Sequence, residues 1–168
     1  MTLSPGKVKP DELIENILQL YRPATRMKNI DLENYTEDFE DPIWIDGDKY
    51  EQVIGNLLSI AIKYTRSGGW VKQSLIRKSD ILELKIIDSG IGMNDDDIKK
   101  LLINRQEVRS SRGISGEKST GIGFTIIKHT IGLFEGEIQI ESTRGEGTTF
   151  TVEVRVKLNS VLLTFNFL

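Results

Sequence analysis

Apolar residues recur along the chain with two periods, and the switches between them divide it into elements. Leu13, Ile14, Ile17, Leu18 and Tyr21 fall at helical spacing, so a helix is expected from Pro10 to about Ala24, ended or kinked by Pro23. Ile30, Leu32 and Tyr35 alternate as a short strand. Thr36 to Asp41 is an acidic loop, and Ile43-Trp-Ile45 reads as a second short strand. Asp46 then starts a helix, as its cap alone or together with Asp48. Tyr50, Val53, Ile54, Leu57, Leu58, Ala61 and Ile62 give that helix one broad apolar face through Tyr64, and Ser67-Gly-Gly69 stops it.

From there the period drops to two. Trp70 to Ile76 and Ile81 to Ile87 read as a hairpin joined by Arg77-Lys-Ser-Asp80. A short helix with an acidic start is expected over Asp95 to Leu102. The polar stretch Asn104 to Ser119 reads as a loop long enough to be functional. Thr120 to Phe134 is helical in pattern. Gly136 separates it from a strand over Glu137 to Thr143, and the turn Arg144-Gly-Glu-Gly147 leads into a last strand from Thr148 to Leu158. The order is helix, strand, strand, helix, hairpin, loop, helix, hairpin. It predicts a two-layer α/β (α+β) sandwich, with a mixed, mainly antiparallel sheet covered on one face by helices. A doubly wound fold would need regular strand–helix alternation, which is absent.

Composition narrows what such a domain does. The 168 residues suit one domain with a real core. A net charge of -3 argues against a general nucleic-acid surface and against anionic lipid. Without cysteine there is neither a disulfide nor a thiolate zinc site. The longest apolar runs fall far short of the ~20 residues that span a bilayer, so no direct membrane insertion is expected. Residues 1–8 read as a leader or linker, 9–158 as the functional domain, and the apolar tail 159–168 has no clear role.

Two glycine clusters carry the candidate chemistry. Asp88-Ser-Gly-Ile-Gly-Met93 follows an apolar strand directly. An acidic residue at a strand end followed by glycines suits a polar ligand edge approached closely by backbone. Gly116-Glu-Lys-Ser-Thr-Gly-Ile-Gly-Phe124 precedes a helix, where free N–H groups and the helix dipole favour a polyphosphate. Together they point to a nucleotide. Lys63 follows Asn56 and Ser59 at helical spacing, so its ammonium faces a similar side and can meet phosphate oxygens. His129, the only histidine, reads as a surface or packing residue.

These blocks resemble the catalytic ATP-binding domain of sensor histidine kinases. Gln52 to Thr65 resembles their asparagine box, Asp88 to Met93 their first glycine box, and Gly116 to Phe124, running into Ile126-Ile-Lys128, their second. Gly136 to Ser142 and Gly145 to Phe150 resemble the closing hairpin. The resemblance implies the Bergerat ATP-binding fold of the GHKL ATPases, with ATP and magnesium bound. It implies nucleotide contacts from Asn56, Lys63, Tyr64, Asp88, Gly90, Gly92, Met93, Thr120, Gly121, Ile122 and Gly123. Asp88 would accept from the adenine amine, Tyr64 would pack on base or sugar, and the basic Arg105–Ser119 stretch would be a mobile lid over ATP. It also implies the partners of a two-component signal-transduction kinase: a helical dimerisation domain bearing the phosphoacceptor histidine, and a response regulator. The domain would be cytoplasmic, whether or not its parent protein is membrane-anchored, and the parent would itself be phosphorylated.

The chain departs from that pattern twice. The family's second box asparagine, which helps hold magnesium, is replaced by Ile60, leaving Asn56 alone. Isoleucine offers no oxygen to a hard cation, and Ser59 is rotated about 100° away around the helix. Leu101-Leu-Ile-Asn-Arg105 lacks the phenylalanines that in the family often anchor the lid, which would then be either looser or anchored by Leu102 and Ile103. No residue is identifiable as a nucleophile or general base. The expected activity is that of a protein histidine kinase's ATP-binding half. A degenerate nucleotide-binding or docking module, and an anti-sigma-type serine kinase, are the alternatives.

Overall fold

The structure is a computed structural model and describes residues 2–103 and 122–157, with Ile122 by its backbone alone. The expected elements are there, with differences at their ends. Strand β1 (Gly6–Val8) leads into helix α1 (Pro10–Met27), followed by β2 (Asp31–Asn34) and β3 (Ile43–Ile45). Helix α2 (Gly47–Tyr64) precedes the hairpin β4 (Trp70–Lys78) and β5 (Ile81–Asp88). Helices α3 (Asp95–Ile103) and α4 (Ile122–Leu133) and the hairpin β6 (Glu137–Thr143) and β7 (Gly147–Arg155) complete the described chain.

Five strands form the main sheet in the order β2-β4-β5-β7-β6. Only β2 and β4 run parallel, so the sheet is mixed and mainly antiparallel. Alternation assigns its faces. Val71, Leu75, Leu82, Leu84, Ile86, Phe150, Val152 and Val154 are buried toward the helices, while Lys72, Lys85, Thr149 and Thr151 lie on the other face, each more open. α1, α2 and α4 supply Ile14, Ile17, Leu18, Ile54, Leu57, Leu58, Phe124 and Ile127 to the same core.

Three differences from the sequence reading have physical causes. α1 does not stop at Pro23 but runs to Met27, because Pro23 sits on the exposed side, where the forfeited hydrogen bond is open to water. Residues 6–8, expected within a leader, form β1, antiparallel to β3 and held also by the Ser4 N–H donating to Asp46 Oδ2 at 2.7 Å. β7 ends at Arg155, and Lys157 instead bridges to Trp44 of β3. The hairpin turn is also tighter than expected, with Ser79 at φ 60° between β4 and β5.

Candidate functional site

The site is built where three chain ends meet: the last strand position of β5, the C-terminus of α2 and the β6–β7 turn. Period two places Asp88 on the covered face of β5, behind Leu82, Leu84 and Ile86. The strand therefore ends by pushing a carboxylate into the core. Asp88 is 4% exposed and, among the described residues, meets only main-chain donors: the Gly90 N–H at 2.8 Å and the Thr148 N–H. Burial pushes its pKa up to about 6, against the pull of those two bonds. No cation neutralises it among the described residues. A buried carboxylate with spare acceptor capacity suits a ligand that brings its own N–H donor.

The glycines next to it are where backbone must come close. A Cβ on Gly90 would lie 2.4 Å from the Tyr64 carbonyl oxygen. Gly92, at φ 62°, would bring one to 2.0 Å from the Thr143 carbonyl oxygen. The loop is pinned by the Ile91 N–H to Tyr64 O (3.1 Å), the Gly145 N–H to Ile91 O (2.7 Å) and the Met93 N–H to Ser142 Oγ (2.7 Å). Met93 is half-buried against the core. On another flank the loop borders a cleft of about 430 Å³ with Arg66, Asp97 and Arg144 on its walls. Gly90 and Gly92 line that cleft, whereas Asn56, Lys63, Tyr64 and Asp88 do not.

α2 carries the other candidate side chains. Asp46 caps it, with Oδ1 accepting from the Lys49 N–H at 3.1 Å, which settles the start of the helix. Asn56 is half-buried, and its Oδ1 lies 3.7 Å from where a Cβ on Gly123 would stand. The asparagine thus faces the first turn of α4, directly after the second glycine block. Lys63 and Tyr64 are half-buried at the end of α2, with Lys63 Nζ 5.6 Å from the Tyr64 ring centre. Thr120 and Gly121 lie outside the described residues, as does the basic stretch Arg105–Ser119; of Ile122 only the backbone is described.

Ile60 is half-buried and packs against the core. Ser59 offers no substitute oxygen there, because it lies beside the Tyr21 hydroxyl on the α1 side, where Tyr21 also donates to Gly55 O at 2.9 Å. No group of three His, Cys, Asp or Glu side chains among the described residues is placed to hold a metal ion. With Asn56 as the single amide oxygen, these residues do not by themselves make a magnesium site. At the end of α3, Leu101 and Leu102 pack against the core, and Lys128 of α4 donates to the Leu102 carbonyl. Ile103, expected to share the anchoring with Leu102, is instead 74% exposed. His129 is exposed on α4.

Sequence reasoning missed the support from the last hairpin. Gly147, at φ 120°, leaves no room for a side chain against the Asp88 carbonyl oxygen, 1.9 Å from its would-be Cβ. Ser142 Oγ holds Met93 N, Gly147 O (2.8 Å) and Thr148 Oγ1 (2.9 Å) together. The signal was the Gly145-Glu-Gly147 turn, whose second glycine falls beside Asp88 once β7 pairs with β5.

Comparison with known proteins gives this geometry its family. Residues 45–158 match the family described as histidine kinase-, DNA gyrase B- and HSP90-like ATPase. The chain is 32% identical over 153 residues to the autoinducer 2 sensor kinase/phosphatase LuxQ of Vibrio parahaemolyticus, covering 86% of this chain and 17% of that one. It is 31% identical over 109 residues to the aerobic respiration control sensor protein ArcB of Escherichia coli, covering 65% and 14%. The chain thus spans about a sixth of the length of these relatives. The fold is shared with the solved catalytic domain of histidine kinase ThkA, with a TM-score of 0.77 at 22% identity over 91% of this chain and 98% of that one. It is shared too with full-length ShkA in complex with AMPPNP, with a TM-score of 0.78 at 18% identity over 95% and 32%. With its helix-covered sheet, Asp88 at the strand end and the glycine-built loop beside it, this chain belongs to the histidine kinase-, DNA gyrase B- and HSP90-like ATPases, as an ATP-binding catalytic domain of the sensor histidine kinase type.

Proposed function

We propose that this domain binds ATP between α2, the Asp88–Met93 loop and the entry to α4, and presents its γ-phosphate to a histidine on a separate helical dimerisation domain. The observation that carries the reading is the buried Asp88 carboxylate, with no neutralising cation among the described residues and a glycine loop beside it packed tightly onto the carbonyls of Tyr64 and Thr143. Asp88 would take the exocyclic amine of adenine, and Gly90, Gly92 and Met93 would line the base. Tyr64 would pack on base or sugar. Lys63 would meet phosphate oxygens, and Thr120, Gly121, Ile122 and Gly123 would offer main-chain N–H groups at the start of α4. ShkA, a relative in fold, was solved with AMPPNP, which supports a nucleotide as the ligand.

The acceptor histidine supplies the nucleophile, so the work of this domain is positioning and charge stabilisation. In this reading His129, on α4, would not be the acceptor. Magnesium would enter on the phosphates of ATP, with Asn56 its one protein oxygen and Ile60 beside it. The lost ligand lowers affinity by about tenfold to a hundredfold relative to a two-asparagine site. Onward transfer to a response-regulator aspartate, and a place on the cytoplasmic side of a parent sensor, belong to the same proposal.

The test is phosphotransfer. The domain is incubated with γ-labelled ATP, magnesium and a helical dimerisation domain carrying the acceptor histidine. An acid-labile, base-stable label on that histidine is expected, lost with Asp88→Asn. Nucleotide binding with no label would leave a nucleotide-sensing module, an outcome that the apolar Ile60 position favours over other failures.

A further inference from the structure

The last four carbonyls of a helix have no partner within it. In α2 these belong to Ala61, Ile62, Lys63 and Tyr64, and each has a partner. Ala61 O accepts from Thr65 Oγ1 at 2.7 Å, and Tyr64 O from the Ile91 N–H at 3.1 Å. The two between them share one side chain: Lys28 Nζ donates to Ile62 O at 2.8 Å, which also takes the Thr65 N–H at 3.4 Å, and to Lys63 O at 2.9 Å.

Lys28 stands where α1 ends and is half-buried. The next residue, Asn29, takes φ 55°, and its carbonyl accepts from the Gly68 N–H at 2.8 Å, so the ammonium is delivered from a fixed turn. A cation on helix carbonyls is favoured by the helix dipole, and a charged donor makes a stronger bond than a neutral one. The peptide planes it holds are those on either side of Lys63, leading into Tyr64. The following carbonyl seats Ile91, in the middle of the glycine loop. Lys28 therefore bonds directly to the end of α2 and reaches the glycine loop through the next carbonyl, Tyr64 O, and its bond to the Ile91 N–H.

We infer that Lys28 is a positioning residue for nucleotide binding: it sets the last turn of α2, and through it the direction of Lys63 and Tyr64 and the seat of the Gly90–Gly92 loop. This rests on the nucleotide reading above. Thr65, buried and bonded to the turn it follows, completes the latch.

The experiment compares Lys28→Met, the milder Lys28→Gln and the donor-conserving Lys28→Arg with wild type and with Val154→Ala. Val154 is a core residue near the far end of β7, so its truncation destabilises the domain without touching the latch. Two quantities are read well below the melting temperature: the affinity for a fluorescent ATP analogue, and hydrogen exchange at the Ile91 amide without nucleotide. Lys28→Met is expected to weaken binding about tenfold and to speed Ile91 exchange about tenfold. Lys28→Gln should fall between, and Lys28→Arg should return both to about wild type. Val154→Ala should lower the melting temperature and leave both unchanged. Wild-type affinity and Ile91 exchange in the Met and Gln variants would overturn the inference, as would Val154→Ala reproducing their effect. Were wild type to bind no nucleotide, the functional reading would fall, and Ile91 exchange would still decide whether Lys28 holds the loop.

Discussion

The two walls of the site are made differently. The wall from Asp88 to Met93 is backbone fixed by backbone: its glycines meet the carbonyls of Tyr64 and Thr143 at distances no side chain tolerates, and main-chain bonds join it to α2 and the β6–β7 turn. The wall from Asn56 to Lys63 is a row of side chains on one helix face, and there the chain departs from its family with Ile60. A shape made by backbone tolerates no substitution at its contact points. A chemistry made by side chains can lose one member while the helix stays intact. The half proposed to recognise the base is thus expected to be robust in form, and the half proposed to meet the phosphates adjustable.

Substitutions sharpen this contrast, the largest effect coming from the backbone wall. Gly92→Ala forces a side chain into a left-handed conformation and onto the Thr143 carbonyl. The two costs together are about 3 kcal/mol, so denaturant unfolding should show at least that loss and ATP binding should vanish.

Asp88→Asn separates stability from binding. A carboxyl whose pKa rises from 3.8 to about 6 on folding favours the fold below about pH 4, and that contribution is lost as pH rises through 6. At pH 7 the ionised, buried group therefore costs about 2–3 kcal/mol. The neutral amide should raise the melting temperature at pH 7 to 8, with the gain shrinking to nothing near pH 4. It should abolish ATP binding at every pH. In wild type, ATP affinity should decline below about pH 6 as the acceptor is protonated.

Ile60→Asn is the smaller change and runs the other way. It gives up part of a half-buried apolar side chain, at a cost of about 1–2 kcal/mol in stability. It returns an amide oxygen one turn from Asn56, so magnesium-dependent ATP affinity should rise about tenfold while magnesium-free affinity stays level. Equal affinities in both proteins would place the cation elsewhere.

How much of this was legible in the sequence follows the same divide. The amphipathic period of α2 and the alternation of β4, β5 and β7 are strong local patterns, and they gave both layers of the sandwich. Asp88 and its glycines stood out because strand, carboxylate and turn follow one another directly. What escaped is non-local. β1 has three residues, too few to alternate, and exists because β3 pairs with it. Pro23 stays helical because of which side of α1 it occupies. That Ser59 turns to Tyr21, that Thr148 supports Asp88, and that Lys28 caps a helix thirty-odd residues away depends on tertiary packing. Ile60 was visible as a departure, and the structure adds that it is half-buried and packs against the core.

The most direct test of the central claim is calorimetric titration of the domain with ATP in magnesium, run beside Asp88→Asn at pH 7.5. The account expects one site per chain in wild type and none in a variant that is folded and more stable. Absence of heat and of any shift in melting temperature at millimolar ATP would contradict it, as would equal binding by both proteins.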